Sequence, residues 1–187
     1  MAKKKSKKNT TRLICSIVVI ALAVLTICTL FMPVFTSTTK ALGGAVQNDS
    51  HIKGIDVITA LFNGKVSSDL SAGANALISL KNADDTAFVG NVFIWTYFLT
   101  IVVSCASLVF ALLSILGMKF RLVNTLLGVA VIVLALVAFI FSFIVANKFG
   151  SVDLGSIFKG DTKVAVGIYL FIASWICGAT EVYLAKA

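Results

Sequence analysis

The chain has 187 residues, of which 59% are hydrophobic and 13% charged, and its formal net charge is +8. Soluble domains usually carry about 25% charged residues. The composition therefore excludes an ordinary soluble enzyme, a disordered chain and a secreted disulfide scaffold. It indicates a small integral membrane protein.

Four long stretches without charge alternate with polar segments. A helix rises about 1.5 Å per residue, so about 20 apolar residues cross the hydrocarbon core of a bilayer. The pattern predicts an all-α fold, in which an antiparallel four-helix membrane bundle carries a small, helical extracytoplasmic cap. The predicted segments are a cytoplasmic lysine-rich tail (1–12), spans at 13–35, 89–118, 122–146 and 164–184, outer loops at 36–88 and 147–163, a cytoplasmic turn (119–121) and a cytoplasmic end (185–187).

The first span also has the basic start of a secretory signal. Its apolar run, residues 13–35, is longer than the roughly 7–15 residues of a signal's apolar region. We therefore expect an uncleaved anchor, and cleavage near Ala41 is the alternative.

The charges are distributed unequally between the two sides of these spans. With the N-terminus inside, the inner segments hold nine basic residues and one acid, Glu181, whereas the outer segments hold seven lysines and seven aspartates. This positive-inside bias predicts that both termini are cytoplasmic. Because it already explains the excess of basic residues, we expect no nucleic-acid partner. The tail orients the first helix or, alternatively, contacts anionic lipid headgroups, through Lys3, Lys4, Lys5, Lys7, Lys8 and Arg12.

The second span begins with an aromatic cluster, Phe93, Trp95, Tyr97 and Phe98. Tyrosine and tryptophan are enriched where a membrane meets water. The cluster therefore predicts an aromatic belt at the headgroup level.

The larger outer loop begins with a polar linker, residues 36–50, and continues with two apolar patterns at helical spacing. These patterns predict short helices at 54–64 and 68–81, and a β-hairpin is the alternative. Asp56 is placed to cap the first helix and Gly64 to end it.

A turn in the second outer loop, residues 152–160, parallels residues 55–64 with one residue removed. The match indicates that a pair of helices with its loop was duplicated in the sequence, and a chance similarity is the alternative. We expect the turns to anchor their loops against the bundle, and a partner surface is the alternative interpretation. The residues concerned are Asp56, Leu61, Phe62, Gly64, Asp153, Ile157, Phe158 and Gly160.

This layout, with its lysine tail, four spans and turn motif, resembles uncharacterised small four-span membrane proteins of Gram-positive bacteria. The resemblance implies a membrane protein and brings no activity with it. The topology is also similar to that of claudin-like proteins, but the first outer loop has neither the tryptophan motif nor the cysteine pair of that family.

No catalytic, cofactor-binding or metal-binding motif is present in the sequence, and we expect no enzyme activity. The single histidine, His51, lies in a polar linker, and all four cysteines lie within spans. We expect no ionisable group at mid-depth in the membrane, where transporters usually place one. The remaining polar side chains of the spans are expected to pack helix against helix, and they are Thr26, Thr100, Ser104, Ser107, Asn124, Ser142 and Ser174.

These features favour a non-enzymatic membrane scaffold or accessory subunit that contacts a membrane-protein partner through its outer loops. The alternative is a small transporter or channel subunit that conducts as a homo-oligomer. In both cases the lipid bilayer is the solvent of the spans.

Overall fold

The computed structural model describes residues 2–41, 46–149 and 160–186, with side chains for 10–37, 50–149 and 162–186. Within these ranges the chain is mostly helical and includes a small sheet. The elements are α1 (Ala2–Cys28), β1 (Pro33–Ala41), β2 (Val46–Lys53), α2 (Gly54–Phe62), α3 (Ala72–Asn82), α4 (Ala87–Ile115), α5 (Arg121–Phe149), β3 (Gly160–Val164), α6 (Val166–Tyr169) and α7 (Phe171–Lys186).

Four helical segments are long and apolar enough to cross a membrane, and this part of the fold prediction is confirmed. They are Thr10–Cys28, Ala87–Ile115, Arg121–Phe149 and Val166–Lys186. Helix α5 exposes a continuous apolar stripe at helical spacing, consisting of Leu122, Leu126, Val129, Val133, Leu136 and Ile140. An exposed apolar surface of this length is stable only against another apolar surface or lipid.

The prediction that the first helix continues to Phe35 is wrong. Helix α1 ends at Cys28, and Pro33 begins strand β1. The residue before a proline is driven out of the helical conformation, and β-branched residues such as Val34 and Thr36 favour a strand. The helix begins at Ala2, so the predicted tail forms its first turns.

A three-stranded sheet in order β2-β1-β3 corrects the all-α prediction. Strand β1 pairs antiparallel with both neighbours, and Phe35 lies opposite Ile52 on one side and Val164 on the other. The described residues of the predicted polar linker, 36–41 and 46–50, therefore lie in the paired strands β1 and β2. The two helices expected after the linker are present as α2 and α3. The predicted start of the fourth span, Val164, is instead the last residue of strand β3.

The chain divides into two compact units. The first consists of Met1–Cys28, Leu99–Leu136 and Leu170–Ala187, and the second of Thr29–Phe98 and Val137–Tyr169. In the first unit, Val19 and Ala23 of α1, Ala111 of α4 and Cys177 of α7 form a buried apolar cluster.

The core of the second unit is aromatic. Phe35 of β1 packs against Phe93 of α4 and Phe149 of α5, with ring centroids 5.4 and 5.5 Å apart. Tyr97 is also buried, and its hydroxyl donates to the carbonyl and hydroxyl oxygens of Thr29 at 3.1 Å each. Phe93 and Tyr97 therefore do not form the predicted belt, whereas Trp95 is half exposed.

Candidate functional site

The second unit holds α2 rigidly at its N-terminus. The backbone N–H groups of Gly54 and Ile55 donate to the carbonyl oxygens of Met32 and Leu30, at 3.1 and 2.7 Å. Asp56, only 8% exposed, is the third residue of the helix rather than its cap, and it accepts from the Lys53 N–H at 2.8 Å.

The carboxylate of Asp56 also connects α2 to α3. The Ser71 hydroxyl donates to Asp56 at 2.6 Å and accepts from the Ala74 N–H at 3.1 Å, which caps α3. Gly73 makes this approach possible, because a Cβ there would lie 2.7 Å from the Asp56 carboxylate. Asp56 therefore organises the loop and is not available as a surface contact.

The C-terminus of α2 is held by a lysine. The Lys81 ammonium group donates to the carbonyl oxygens of Ala60 and Asn63 at 2.7 and 3.0 Å. Lysine at this end of a helix satisfies carbonyls that lack helical partners. The helix ends at Phe62, and Gly64 lies two residues beyond it, where its carbonyl oxygen accepts from the Asn82 side chain at 3.0 Å.

Helix α2 is apolar on two opposite faces. Gly54, Val57 and Ala60 are buried. On the other face lie Ile55, Ile58 and Phe62, which we call the α2 stripe; Ile58 is partly exposed and Phe62 is 72% exposed. Within the described ranges, the Phe62 ring makes one edge contact, with Phe98 of α4 at 5.8 Å.

The predicted turn residues do not form one cluster in the part of the chain that the structure describes. Leu61 is partly exposed beside the α2 stripe, and Gly160 is the first residue of β3. Gly64 follows a helix whereas Gly160 begins a strand, so the ends of the two matching turns differ in structure. Asp153, Ile157 and Phe158 lie outside the described residues.

The first unit has a polar interior. On α4 the buried face carries Thr100, Ser104, Ser107 and Ser114, at helical spacing. The hydroxyl groups of Thr26 and Ser174 are hydrogen-bonded at 2.9 Å, so this pair joins α1 to α7, as expected for the polar residues of the spans. Three buried hydroxyl oxygens have no hydrogen-bond partner among the described residues, those of Ser16, Ser104 and Ser107.

The most unusual member of this interior is Glu181. It lies on α7, inside the candidate span Val166–Lys186, and it is 1% exposed. Its Oε2 atom has no hydrogen-bond partner among the described residues. The Ser107 hydroxyl lies beside the carboxyl group, although the two do not form a hydrogen bond of regular geometry. The sequence assigns Glu181 to an inner segment, whereas the structure buries it five residues before the end of this candidate span. The expectation that no ionisable group lies at mid-depth stays a prediction.

Helices α5 and α7 approach closely beside Glu181. A Cβ at Gly128 would lie 2.5 Å from the Gly178 carbonyl oxygen and 3.1 Å from the Glu181 Cβ. Small residues on facing helices permit this kind of backbone contact. The close crossing leaves little room around the carboxyl group.

One end of the first unit carries a small, partly open cleft. We call it the basic cleft, and its polar lining consists of Arg12, Ser114, Lys119, Arg121 and Asn124. The Arg12 guanidinium group donates to the Ser114 hydroxyl at 3.2 and 3.3 Å. Asn124 is 3% exposed, and its Oδ1 atom has no hydrogen-bond partner among the described residues. Arg12, which the sequence predicts as a headgroup contact, therefore lies in this cleft. The structure does not describe the side chains of the other predicted headgroup contacts, Lys3, Lys4, Lys5, Lys7 and Lys8.

The sequence carries a signal for the burial of Glu181 that a count of charges overlooks. Ser174, Cys177, Gly178 and Glu181 follow one another at intervals of three and four residues, which places them on one helical face. Small residues on that face indicate a helix contact, so Glu181 belongs to the interior rather than to a cytoplasmic end.

Within the described residues, no group of three or more histidine, cysteine or acidic side chains could hold a metal ion. The four cysteines are free. Comparisons with protein-family models, with curated proteins and with solved structures found no match to this chain.

Proposed function

We propose that the protein is a multi-pass protein of the cell membrane, with both termini in the cytoplasm, and that it acts without catalysis as a scaffold or accessory subunit. In this proposal the α2 stripe binds an apolar surface of a membrane-protein partner. The concentration of basic residues on one side of the four apolar segments supports the orientation.

The observation that carries the proposal is that α2 is apolar on both faces. A helix that is hydrophobic all round is normally buried all round. One face of α2 packs into its own unit, while Ile55 and Phe62 remain exposed. A partner surface that covers these side chains accounts for the second face.

The rigid attachment of α2 supports the same proposal. Asp56 at one end and Lys81 at the other fix the helix before a partner arrives. Binding energy at interfaces is concentrated in a few well-placed anchors, and preorganised anchors lose less conformational entropy. Phe62 is placed as such an anchor.

The first experiment is purification of the full chain from mild detergent after crosslinking at Lys65, which is exposed and near the stripe in sequence. We expect a stoichiometric protein partner, which Phe62→Ser removes. Phe88→Ser is the matched control, because Phe88 is 73% exposed and, among the described residues, its ring also contacts one other ring, that of Phe141 at 6.4 Å.

Equal loss of the partner in both variants would indicate general damage to the apolar surface and would contradict a specific stripe. If no protein crosslinks to Lys65, not even a second copy of this chain, the proposed partner surface is also contradicted.

The topology has its own test. Lys65→Cys and Lys186→Cys place thiols at exposed positions in the larger outer loop and at the end of α7. We expect an impermeant maleimide to label Lys65→Cys on intact cells and Lys186→Cys only after permeabilisation. Labelling of Lys186→Cys on intact cells would overturn the orientation.

A second candidate function, transport by a homo-oligomer, is favoured by one observation, the buried carboxyl group of Glu181. Ionisable groups inside membrane segments are costly, and they commonly serve proton relays and ion pathways. Liposomes containing the purified chain should then show proton or cation flux that Glu181→Gln abolishes and Glu181→Asp partly retains. Flux equal to that of empty liposomes would remove this candidate.

A further inference from the structure

The basic cleft concentrates positive charge without a carboxylate to balance it. Arg12, Lys119 and Arg121 line it, and none of its described lining residues is acidic. The Arg12 guanidinium group donates to a neutral acceptor, the Ser114 hydroxyl, rather than to a carboxylate. Like charges gathered around one cleft repel one another, and an anion relieves that repulsion.

The N-terminus of α5 begins at the same cleft. Arg121 is the first residue of this 29-residue helix, and Phe120, which also lines the cleft, precedes it. A phenylalanine side chain has no acceptor for the free N–H groups of the first turn. Those N–H groups and the helix dipole favour a negative group at this end.

Asn124 provides an independent indication of a ligand. It lines the cleft, is almost fully buried and has an unpartnered Oδ1 atom among the residues that the structure describes. Buried polar atoms are nearly always hydrogen-bonded. Rotation of the carboxamide exchanges Oδ1 for the Nδ2 donor, so the same side chain can donate to an anionic oxygen in the cleft.

We propose that the basic cleft binds a phosphate group, held by Arg12, Lys119, Arg121 and the N-terminus of α5. Planar guanidinium groups match phosphate oxygens in geometry and charge. Exposed apolar side chains flank the cleft in sequence at Leu116 and Leu122, which suits the acyl chains of an anionic phospholipid. The site does not depend on the partner proposed for the α2 stripe.

The test uses the full chain in nanodiscs of phosphatidylcholine with and without phosphatidylglycerol, and it measures phosphatidylglycerol retention by native mass spectrometry. We expect Lys119→Gln/Arg121→Gln to lower the affinity roughly 30-fold, which corresponds to about 1 kcal/mol for each charge. Both side chains are exposed, so the double variant should fold. Lys186→Gln is the matched control, because it removes an exposed basic charge near the end of α7 outside the cleft, and it should change the affinity less than about threefold.

Asn124→Leu separates the site from general surface charge. It keeps the volume and net charge but removes the unpartnered amide, so it should abolish preferential retention of phosphatidylglycerol without lowering stability in phosphatidylcholine. Displacement of the lipid by inorganic phosphate would assign the cleft to phosphate groups in general, and resistance to displacement would assign it to the lipid headgroup. Equal retention by wild type, the double variant and Asn124→Leu would overturn the proposal, as would an equal loss in Lys186→Gln.

Discussion

The close approach of α5 and α7 makes Gly128→Ala the sharpest test of the first unit. The added methyl group would lie 2.5 Å from the Gly178 carbonyl oxygen and 3.0 Å from Val182 Cγ2. Overpacking costs about 1–3 kcal/mol, and the upper part of that range applies because the nearest atom belongs to the backbone. Alanine regains about 1 kcal/mol through its higher helix propensity. We therefore expect a net loss of roughly 1–2 kcal/mol in the free energy of unfolding.

Reversible unfolding in mixed micelles containing sodium dodecyl sulfate, followed by circular dichroism, measures this loss. Gly64→Ala is the matched control, because its methyl group would meet nothing within 4 Å. That substitution should be neutral or stabilise by up to about 1 kcal/mol, since it restricts only the unfolded chain. If Gly128→Ala proves as stable as Gly64→Ala, the two helices do not cross at these glycines.

Two further predictions concern the second unit, and denaturant unfolding of the full chain measures both. Asp56→Ala should lower the free energy of unfolding by about 2–4 kcal/mol, because the Lys53 N–H and the Ser71 hydroxyl both lose an acceptor, and Asp56→Asn should cost less because one acceptor remains. Tyr97→Phe should cost about 1 kcal/mol, because the hydrogen bonds to Thr29 are lost while the ring stays packed; an unchanged midpoint would show that these bonds contribute nothing.

The long helices could be predicted from the sequence because length and hydropathy alone determine them. The apolar runs predict spans at 89–118 and 122–146, and the helices are Ala87–Ile115 and Arg121–Phe149. The two short helices after the linker are recognisable in the same way, from apolar residues at helical spacing. Helix α2 nevertheless begins with Lys53 as its cap rather than Asp56.

The sheet could not be predicted because its pairings join segments that are far apart in the sequence. Phe35 lies opposite Ile52 and Val164, and no local pattern specifies either partner. Val34 and Phe35 also extend the apolar run of the first helix, so a hydropathy window includes them in the span. The restriction imposed by Pro33 on the preceding residue is the local signal against a helix there.

The burial of Glu181 and the basic cleft could not be predicted, for a different reason. Counting charges assigns Glu181 and Arg12 to the ends of spans, whereas their environment depends on the helical face on which they lie. Glu181 shares a face with Cys177 and Gly178, and that face is buried. Arg12 reaches Ser114, which is distant in sequence and lies on another helix.

The two candidate functions, scaffold and transporter, rest on different features of the molecule. The exposed α2 stripe supports the scaffold, and the buried Glu181 supports transport. A buried carboxyl group with an unpartnered oxygen destabilises a fold by itself, so packing of the first unit does not account for Glu181. An exposed apolar stripe on the second unit, in contrast, is explained by a bound partner and requires no ionisable group. Phe62→Ser should therefore remove a protein partner and leave any ion flux intact, whereas Glu181→Gln should do the reverse. If Glu181→Gln instead raises the free energy of unfolding and leaves both partner binding and flux unchanged, the carboxyl group has neither role, and the scaffold proposal alone remains.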